Sequence, residues 1–157
     1  MPFYTGEHET SIAAKRRMAI SSALREEQTP DDGSQYYLVL GPDKHLWLYP
    51  DAYYRKLASH MKRSLLPSRQ AVNMSMFFAM ARLLKPDSQG RVVLPEKSLE
   101  RARLTDVEDV TLVGKGDHVE LWPRHEWEKF VEASMDSYGE MLYEAADLFE
   151  AVDDKNE

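Results

Sequence analysis

One pattern of residues occurs twice in this chain, first as LVLGPDKHLWLYPDAYYRKL (38–57) and again as TLVGKGDHVELWPRHEWEKF (111–130). At an offset of 73 residues, identical residues coincide at Gly41 and Gly114, His45 and His118, Leu48 and Leu121, and Pro50 and Pro123. Upstream, at an offset of 74, AAKRRMAIS (13–21) aligns with DSQGRVVLP (87–95). Chance similarity between two hairpin-rich segments is the alternative. The recurrence of two blocks in one order favours two copies of a single supersecondary unit.

Both copies predict the same elements. In the second copy, Asp87 opens a turn and Gly90 supplies the positive φ that such a turn needs near its end. Short apolar runs bounded by turns indicate strands at 80–85, 91–94, 109–114 and 118–122, with a short helix at 95–102. The first copy predicts strands near 4–10, 17–20, 36–40 and 45–49, and helices at 22–28 and 51–64.

Amphipathic helices follow the second hairpin of each copy. After the first copy, a further helix is expected to begin at Pro67 and to run toward Leu84. After the second, apolar residues recur mostly at steps of three and four: Trp127, Phe130, Val131, Tyr138, Met141, Leu142, Ala145, Leu148 and Phe149. This stripe is expected to pack on the chain's own sheet or to contact another protomer, and the two are compatible.

The predicted organisation has four segments. They are a first repeat (3–64), a connecting helix (65–79), a second repeat (80–131), and a C-terminal acidic helix and tail (132–157).

The negative charge is concentrated in the last of these segments. The 157-residue chain has a formal net charge of -7. Residues 1–131 hold 19 Lys and Arg against 18 Asp and Glu, whereas residues 132–157 hold 1 against 9. A basic patch on the near-neutral body could therefore still attract a polyanion, because screening confines charge effects to about 8–10 Å.

Composition and motifs exclude several classes of function. The chain has no cysteine, so disulfides, thiolate metal sites and a cysteine nucleophile are absent. It has no zinc-protease helix, phosphate-binding loop or Gly-x-Ser-x-Gly elbow, which predicts no enzyme activity, no metal and no cofactor. His45 and His118 are repeat equivalents in hairpins and are expected to have a structural or surface role and not to bind a metal. Residues 1–20 carry charge throughout and no stretch is long and apolar enough for a membrane span, so a cytoplasmic protein is expected.

The second copy reads Asp87-x-x-Gly90-Arg91-x-x-x-Pro95, which resembles the AbrB-like, or swapped-hairpin, DNA-binding domain. Two such copies, each followed by a Leu/Val-x-Leu-aromatic-Pro strand end and a helix, resemble the MraZ family of bacterial transcriptional regulators. TGEHETSI (5–12) is similar to that family's first strand, and the resemblance covers about residues 3–150.

This resemblance implies an α+β fold in which two pseudo-symmetric AbrB-like hairpin repeats build a barrel-like core with flanking amphipathic helices. It further implies a nucleoid-associated, ring-shaped homo-oligomer. Such a ring would bind repeated boxes in double-stranded promoter DNA, typically at the division and cell-wall gene cluster.

The resemblance also carries the DNA-contacting role of the Asp-x-x-x-Arg loops onto Lys15 and Arg17 in the first copy and Arg91 in the second, with Asp87 and Gly90 supporting the second turn. Arg16, a cation between Lys15 and Arg17, is a further candidate DNA-binding residue. A solvated basic turn is the alternative for the three cations of the first copy. An internal pair with Asp87, which is compatible with DNA contact, is the alternative for Arg91. Three further arginines are expected to be solvated surface rather than phosphate contacts: Arg25, Arg101 and Arg103.

The first copy departs from the family pattern at three positions. Ala13 replaces the Asp and cannot accept the hydrogen bonds of the turn. Arg16 replaces the Gly and would be strained at positive φ, so this turn is expected to differ from the second. Ser21 replaces the Pro and is expected to cap the following helix. The loop gains Lys15-Arg16-Arg17, with no carboxylate nearby in sequence, so its DNA binding is either altered or lost.

The sequence therefore predicts a DNA-binding transcriptional regulator. Two alternatives remain open at this point. One is an oligomeric scaffold whose DNA binding has weakened. The other is an antitoxin-like regulator, although two domain copies and a long amphipathic helix argue against it.

Overall fold

The computed structural model describes residues 1–61, 64–66 and 68–153, with side chains described as far as Leu148. The strands within these residues are β1 (Glu7–Ala13), β2 (Arg17–Ala19), β3 (Tyr36–Leu40), β4 (Leu46–Pro50), β5 (Arg82–Leu84), β6 (Arg91–Val93), β7 (Asp109–Gly114) and β8 (Val119–Pro123). The α-helices are α1 (Ser22–Glu26), α2 (Asp51–Ser59), α3 (Arg69–Met80), α4 (Glu96–Arg101), α5 (Arg124–Met135) and α6 (Tyr138–Asp153).

The strands form one antiparallel sheet in the order β5-β3-β4-β8-β7-β1-β2-β6, which curls into a nearly closed barrel. At the open seam, β5 and β6 are joined by a turn in which the Asp87 N–H donates to the Arg91 carbonyl (2.9 Å). The predicted α+β fold with a barrel-like core is confirmed.

The sequence repeat is visible in the pairing of the strands. Exchanging β1 with β5, β2 with β6, β3 with β7 and β4 with β8 maps the set of strand pairings onto itself, except for the pairing of β1 with β2. The β4–β8 and β2–β6 pairings each map onto themselves. In the β4–β8 ladder Trp47 pairs with Glu120, and in the β2–β6 ladder Met18 pairs with Val92. Each of these pairs joins a residue to its own repeat equivalent. A pseudo-twofold axis therefore passes through both ladders, and each half completes the sheet of the other.

The core fills the barrel because alternate strand residues point inward. In β4 the buried residues are Leu46, Leu48 and Pro50, and the residues between them are half-buried. The largest fully buried side chains are Tyr4, Met18, Leu24, Leu38, Leu46, Leu48, Leu94, Leu104, Leu112, Leu121, Val92 and Val110. Both halves contribute to this set, so neither could bury its apolar face alone.

Two predicted boundaries are wrong, for local reasons. The first strand was expected near 4–10 but begins at Glu7. Gly6 has a φ of 85°, and Tyr4 before it makes a separate bridge to Gly116 with an N···O distance of 2.7 Å. The helix expected at 51–64 ends at Ser59, with His60 as its C-cap. Lys62 and Arg63, which the prediction included, lie outside the described residues.

Capping side chains decide two other helix starts. Ser21 is the N-cap of α1, where its hydroxyl accepts from the Leu24 N–H (3.3 Å), as predicted. Ser68 caps α3 by accepting from the Ala71 N–H (3.1 Å). The predicted start of this helix, Pro67, lies outside the described residues, and α3 begins at Arg69. It ends at Met80 and does not run on toward Leu84, because Arg82–Leu84 pair with β3 as β5.

The chain divides into two compact units, one from Met1 to Arg124 and one beginning at His125. The second unit holds nearly all of α5 and the whole of α6, connected by a turn in which the Ser137 N–H donates to the Ser134 carbonyl (3.1 Å). Along these helices, large apolar side chains are exposed at Phe130, Met135, Tyr138, Met141, Leu142, Tyr143 and Leu148. In the described residues, no helix is long and apolar enough to cross a membrane.

Candidate nucleic-acid interface

The β2–β6 ribbon presents two arginines on one exposed face. Met18 and Val92 point into the core, so their neighbours on each strand point outward. Arg17 pairs with Val93, and Ala19 pairs with Arg91. All four outward residues are exposed, and they define what we call the outer ribbon face. On this face Arg17 and Arg91 are diagonal neighbours, a relation that places their Cα atoms about 7–8 Å apart.

The second loop (87–91) holds Arg91 in a fixed orientation. One carboxylate oxygen of Asp87, Oδ1, accepts from the backbone N–H groups of Gln89 and Arg91, both at 2.9 Å. The other, Oδ2, accepts from Arg91 Nε at 2.9 Å. Gly90 has a φ of 78°, as predicted for its place near the end of the turn. The backbone hydrogen bond from Arg91 lowers the pKa of Asp87, so its carboxylate stays charged.

This arrangement leaves part of the Arg91 guanidinium for an external acceptor. Nε is bound to Asp87, and within the described residues no group accepts a hydrogen bond from its Nη atoms. The internal pair with Asp87 that the sequence suggested is present. It orients the side chain through Nε and leaves the Nη donors for an external acceptor.

The first loop (13–17) has a different backbone. Ala14–Arg16 form a 3-10 turn, in which Lys15 and Arg16 have φ values of 61° and 59°. Arg16 therefore keeps the left-handed conformation of its equivalent, Gly90, in spite of its side chain. Each such non-glycine residue costs roughly 1–2 kcal/mol. The expected difference between the two turns is thus a second left-handed residue, Lys15, and not the loss of the first.

The three cations of the first loop have different environments. Arg16 Nε donates to the Leu94 carbonyl (2.9 Å), and the Leu94 N–H donates to the Arg16 carbonyl (2.8 Å). Arg16 is therefore tied to the chain just after β6. Lys15 and Arg17 are exposed, and Arg17 belongs to the outer ribbon face. Of the four predicted DNA-binding residues, the structure brings Arg17 and Arg91 together on one face.

The two loops lie at opposite ends of the ribbon. Because β2 and β6 are antiparallel, Arg17 at the start of β2 faces Val93 at the end of β6. Arg91 at the start of β6 faces Ala19 at the end of β2. Lys15 therefore extends beyond one end of the outer ribbon face, and the Asp87 turn extends beyond the other.

A groove adjoins each loop, and the two grooves are equivalent under the repeat. The first has a volume of about 780 Å³, and its lining includes Lys15, Arg16, Asp106, Glu108 and Asp109. The sequence shows no carboxylate near these cations, but the fold brings three to the same groove. The second has a volume of about 440 Å³, and its lining includes Arg25, Gln28, Tyr36, Asp87 and Gly90.

Arg25, which the sequence assigned to solvated surface, lies against the second loop. Its Nε donates to the Ile20 carbonyl (3.1 Å). A Cβ atom placed on Gly90 would lie 2.7 Å from Arg25 Cζ, so the guanidinium packs directly on the second loop. Arg25 is therefore not a solvated surface residue. Arg101 and Arg103 are exposed, as predicted.

Histidines and tryptophans meet at the opposite side of the barrel, where β4 pairs with β8. The His118 Nδ1 atom lies 2.9 Å from Asp117 Oδ1, and its Nε2 atom lies 3.0 Å from Glu120 Oε2. Its ring stacks on Trp47 with centroids 4.0 Å apart. Burial lowers the pKa of His118, but the hydrogen bonds to Glu120 and Asp117 outweigh burial, and the pKa is raised.

The other half of this cluster stacks His45 on Trp122, with centroids 3.7 Å apart. His45 Nδ1 lies 2.8 Å from Asp43 Oδ2. His45 and His118 are thus joined to carboxylates and aromatic rings at equivalent positions of the two halves, as expected for structural histidines.

Comparison with known proteins gives one family. The family model described as "MraZ protein, putative antitoxin-like" matches residues 77–146. A protein of Heliobacterium modesticaldum named Transcriptional regulator MraZ is 31% identical over 148 residues, which cover 92% of this chain and 98% of that protein. Its namesake in Alkaliphilus oremlandii is 30% identical over 146 residues, with the same shares covered. That of Clostridium tetani is 29% identical over 134 residues, 85% of this chain and 90% of the relative. These relatives are named regulators and not enzymes.

Proposed function

Since the chain belongs to the MraZ family of transcriptional regulators, we propose that it binds double-stranded promoter DNA through its outer ribbon face and the two loops beside it. The observation that carries this proposal is the pair Arg17 and Arg91, exposed as diagonal neighbours on a two-stranded ribbon. The major groove of B-DNA admits such a ribbon, and arginine there recognises guanine O6 and N7.

The residues of the two loops have different roles in DNA binding. Arg91, oriented by Asp87, presents its Nη atoms to a base edge. Lys15 and Arg17 contact phosphates, which supply affinity without sequence information. Arg16 holds the first loop against Leu94 and contributes through position. The repeats at 3–64 and 80–131 thus act as two reading halves of one interface.

The protein further acts as a closed homo-oligomer, so that several ribbons engage repeated boxes in the promoter. The exposed apolar side chains of α3 and of the second unit support self-association, because patches of this kind are uncommon on monomers. Closed cyclic symmetry is the common solution for such contacts. Family resemblance favours the division and cell-wall gene cluster as target and the cytoplasmic nucleoid as location. Sedimentation at micromolar protein concentration tests the oligomeric state, and a monomer would contradict the proposed closed homo-oligomer.

The main experiment measures binding to the DNA upstream of the protein's own gene as a function of salt concentration. The logarithm of the binding constant should fall steeply with the logarithm of salt concentration, since phosphate contacts release counterions. Arg17→Ala should make this slope shallower by about 0.9 per engaged protomer. Arg91→Ala should reduce discrimination at one base pair by about 1–3 kcal/mol.

Lys56→Ala is the matched control, because Lys56 is an exposed cation on α2, which follows β4 on the far side of the barrel. It removes one positive charge and should leave both quantities unchanged. Absence of binding by the wild-type protein at low salt would overturn the DNA proposal and favour the scaffold function.

The description of the family model favours an antitoxin-like regulator as second candidate. That function would use a partner protein bound outside the outer ribbon face and its loops, and the candidate segment is the unit beginning at His125. Co-purification of a stoichiometric partner that is lost when this unit is deleted would support it. The tandem repeat and the long helix α6 favour the first proposal.

A further inference from the structure

The two loops differ by an exchange of arginine between two positions. At the offset of 74 residues, Arg16 of the first loop corresponds to Gly90 of the second. At the same offset, Arg25 of α1 corresponds to Leu99 of α4. The first half therefore has arginine at both positions, and the second half has glycine in the loop and leucine in the helix. Because each loop lies beside the helix of the other half, Arg16 faces Leu99 at the first loop and Gly90 faces Arg25 at the second.

The helix positions are equivalent in the structure as well as in the sequence. The Arg25 N–H donates to the Ser21 carbonyl (3.1 Å), and the Leu99 N–H donates to the Pro95 carbonyl (3.2 Å). Each residue thus closes the first turn of its helix. Arg25 lines the groove beside the second loop, and Leu99 lines the equivalent groove beside the first.

The loop backbones make the same contact at both places. The Leu94 N–H donates to the Arg16 carbonyl (2.8 Å), and the Ile20 N–H donates to the Gly90 carbonyl (3.0 Å). Ile20 and Leu94 are repeat equivalents at the ends of β2 and β6. Each loop is therefore fastened to the strand end of the other half.

A guanidinium completes both contacts, although it comes from different elements. Arg16 Nε donates to the Leu94 carbonyl at 2.9 Å, and Arg25 Nε donates to the Ile20 carbonyl at 3.1 Å. Beside the second loop, Arg25 occupies the space that a side chain on Gly90 would need. Beside the first loop, the loop residue itself provides the guanidinium and the helix residue is apolar.

We propose that Arg16 and Arg25 are equivalent positioning residues, each of which locks one DNA-contacting loop onto the strand end of the opposite half. The role in DNA binding rests on the function proposed above. The guanidinium of Arg16 then takes the place at the first loop that the guanidinium of Arg25 has at the second. The first loop is therefore able to bind DNA, although it lacks the glycine. Arg25 acts on DNA through the turn that carries Arg91 and has no contact of its own.

The test moves the arginine from α1 to the second loop, by the changes Gly90→Arg and Arg25→Leu. Gly90→Arg alone puts a side chain into the place of Arg25 at a left-handed position, and should lower the melting temperature by about 3–8 °C. Arg25→Leu alone frees the Ile20 carbonyl and should weaken DNA binding about five- to tenfold. The double variant reproduces, at the second loop, the arrangement of arginine and leucine found at the first loop. It should recover at least half of the loss in melting temperature and bind DNA to within about twofold of wild type.

A second set of variants separates positioning from general stability. If Arg25 acts through the turn of Arg91, then Arg25→Leu should cause no further loss of affinity in an Arg91→Ala background. Lys56→Leu, an equal change of charge and hydrophobicity on the exposed face of α2, should change neither melting nor binding.

Two outcomes would overturn the proposal. One is a double variant that melts no higher than the poorer of the two single variants. The other is an unchanged effect of Arg25→Leu on affinity after Arg91 is removed. If the wild-type protein binds no DNA, the proposed function fails, while recovery of melting temperature in the double variant still decides whether the two arginines are exchangeable.

Discussion

The contrast between Asp87 and Ala13 shows how one side chain defines a loop. Asp87 accepts three hydrogen bonds, and two of them come from the backbone and side chain of Arg91. Ala13 has no acceptor at the equivalent place, and the first loop instead contains two left-handed residues, Lys15 and Arg16. The second loop is therefore fixed by a carboxylate, and the first by the hydrogen bonds between Arg16 and Leu94.

Asp87→Asn tests whether orientation of Arg91 matters for binding. An amide oxygen can still accept from the two backbone N–H groups, so the turn should persist. The amide NH₂ would then face Arg91 Nε, and the guanidinium should lose its fixed direction. DNA affinity should fall about two- to fivefold, in keeping with an exposed ion pair, while the melting temperature stays nearly constant. Fluorescence titration and thermal melting would measure the two. If Asp87→Ala and Asp87→Asn lost DNA affinity equally and both had a much lower melting temperature, Asp87 would act through the stability of the turn and not through the orientation of Arg91.

Lys15→Gly should change stability and DNA binding in opposite directions. Relief of the left-handed strain gains roughly 1–2 kcal/mol, and the greater freedom of glycine in the unfolded chain offsets about 0.5–1 kcal/mol of it. The free energy of unfolding in urea should therefore rise slightly. Loss of the ammonium should make the salt slope of DNA binding shallower by about 0.9 per engaged protomer. A fall in both quantities would mean that Lys15 makes a structural contact in addition.

Arg16 and Arg25 mark the limit of sequence reasoning at single residues. The sequence correctly indicated strain at Arg16 and the pairing of Arg91 with Asp87. It assigned Arg25 to solvated surface, because a lone arginine on a short predicted helix gives no sign of its partner. The partner is a carbonyl five residues earlier and a glycine in the other half. The sequence indicates the role of Arg25 only through a comparison at the repeat offset. The first loop combines Arg16 with Leu99, and the second combines Gly90 with Arg25.

Elements were predicted best where both copies carried the same signal. The strands of the second hairpin, β3 with β4 and β7 with β8, lie within one residue of their predicted places. The first strand was misplaced, because its pairing with β7 and the bridge of Tyr4 to Gly116 depend on tertiary contacts. The order of the strands could not be read from either copy alone, since each half pairs with the other.

The β4–β8 ladder should depend on pH through His118. Both of its ring nitrogens face carboxylates, of Asp117 and Glu120, and its ring stacks on Trp47, so the charged form is favoured. Its pKa in the folded protein is raised above the ordinary value. The stabilisation is therefore complete below pH about 6.5 and is lost as pH rises through the folded pKa.

Thermal melting between pH 5.5 and 9 would measure this effect. The melting temperature of the wild type should decline above neutrality, and that of His118→Gln should start lower and remain flat over the same range. Glu120→Gln is the companion variant, because it removes one acceptor and should reduce the pH dependence without abolishing it. Parallel curves for wild type and His118→Gln would show that another group causes the decline.

The whole molecule places near-neutral and acidic parts in different regions of the chain. Residues 1–131, which hold the outer ribbon face, have nearly balanced charge, whereas residues 132–157 hold nine acidic residues and one lysine. A net charge of -7 by itself would argue against a nucleic-acid partner. The local charge on the outer ribbon face matters more at physiological salt, because the Debye length there is only about 8 Å.

Deletion of residues 150–157 tests this separation of charge. At 0.15 M salt the deletion should change DNA affinity less than about twofold, because salt at this concentration weakens the repulsion between exposed acidic residues and the DNA phosphates. At 0.01 M salt the Debye length is about 30 Å, and the shortened protein should then bind several-fold more tightly. A full-length variant with Glu150, Asp153, Asp154 and Glu157 changed to amides should behave like the deletion, which isolates charge from the loss of chain. A many-fold gain in affinity at 0.15 M salt would instead mean that the acidic end competes with DNA for the outer ribbon face.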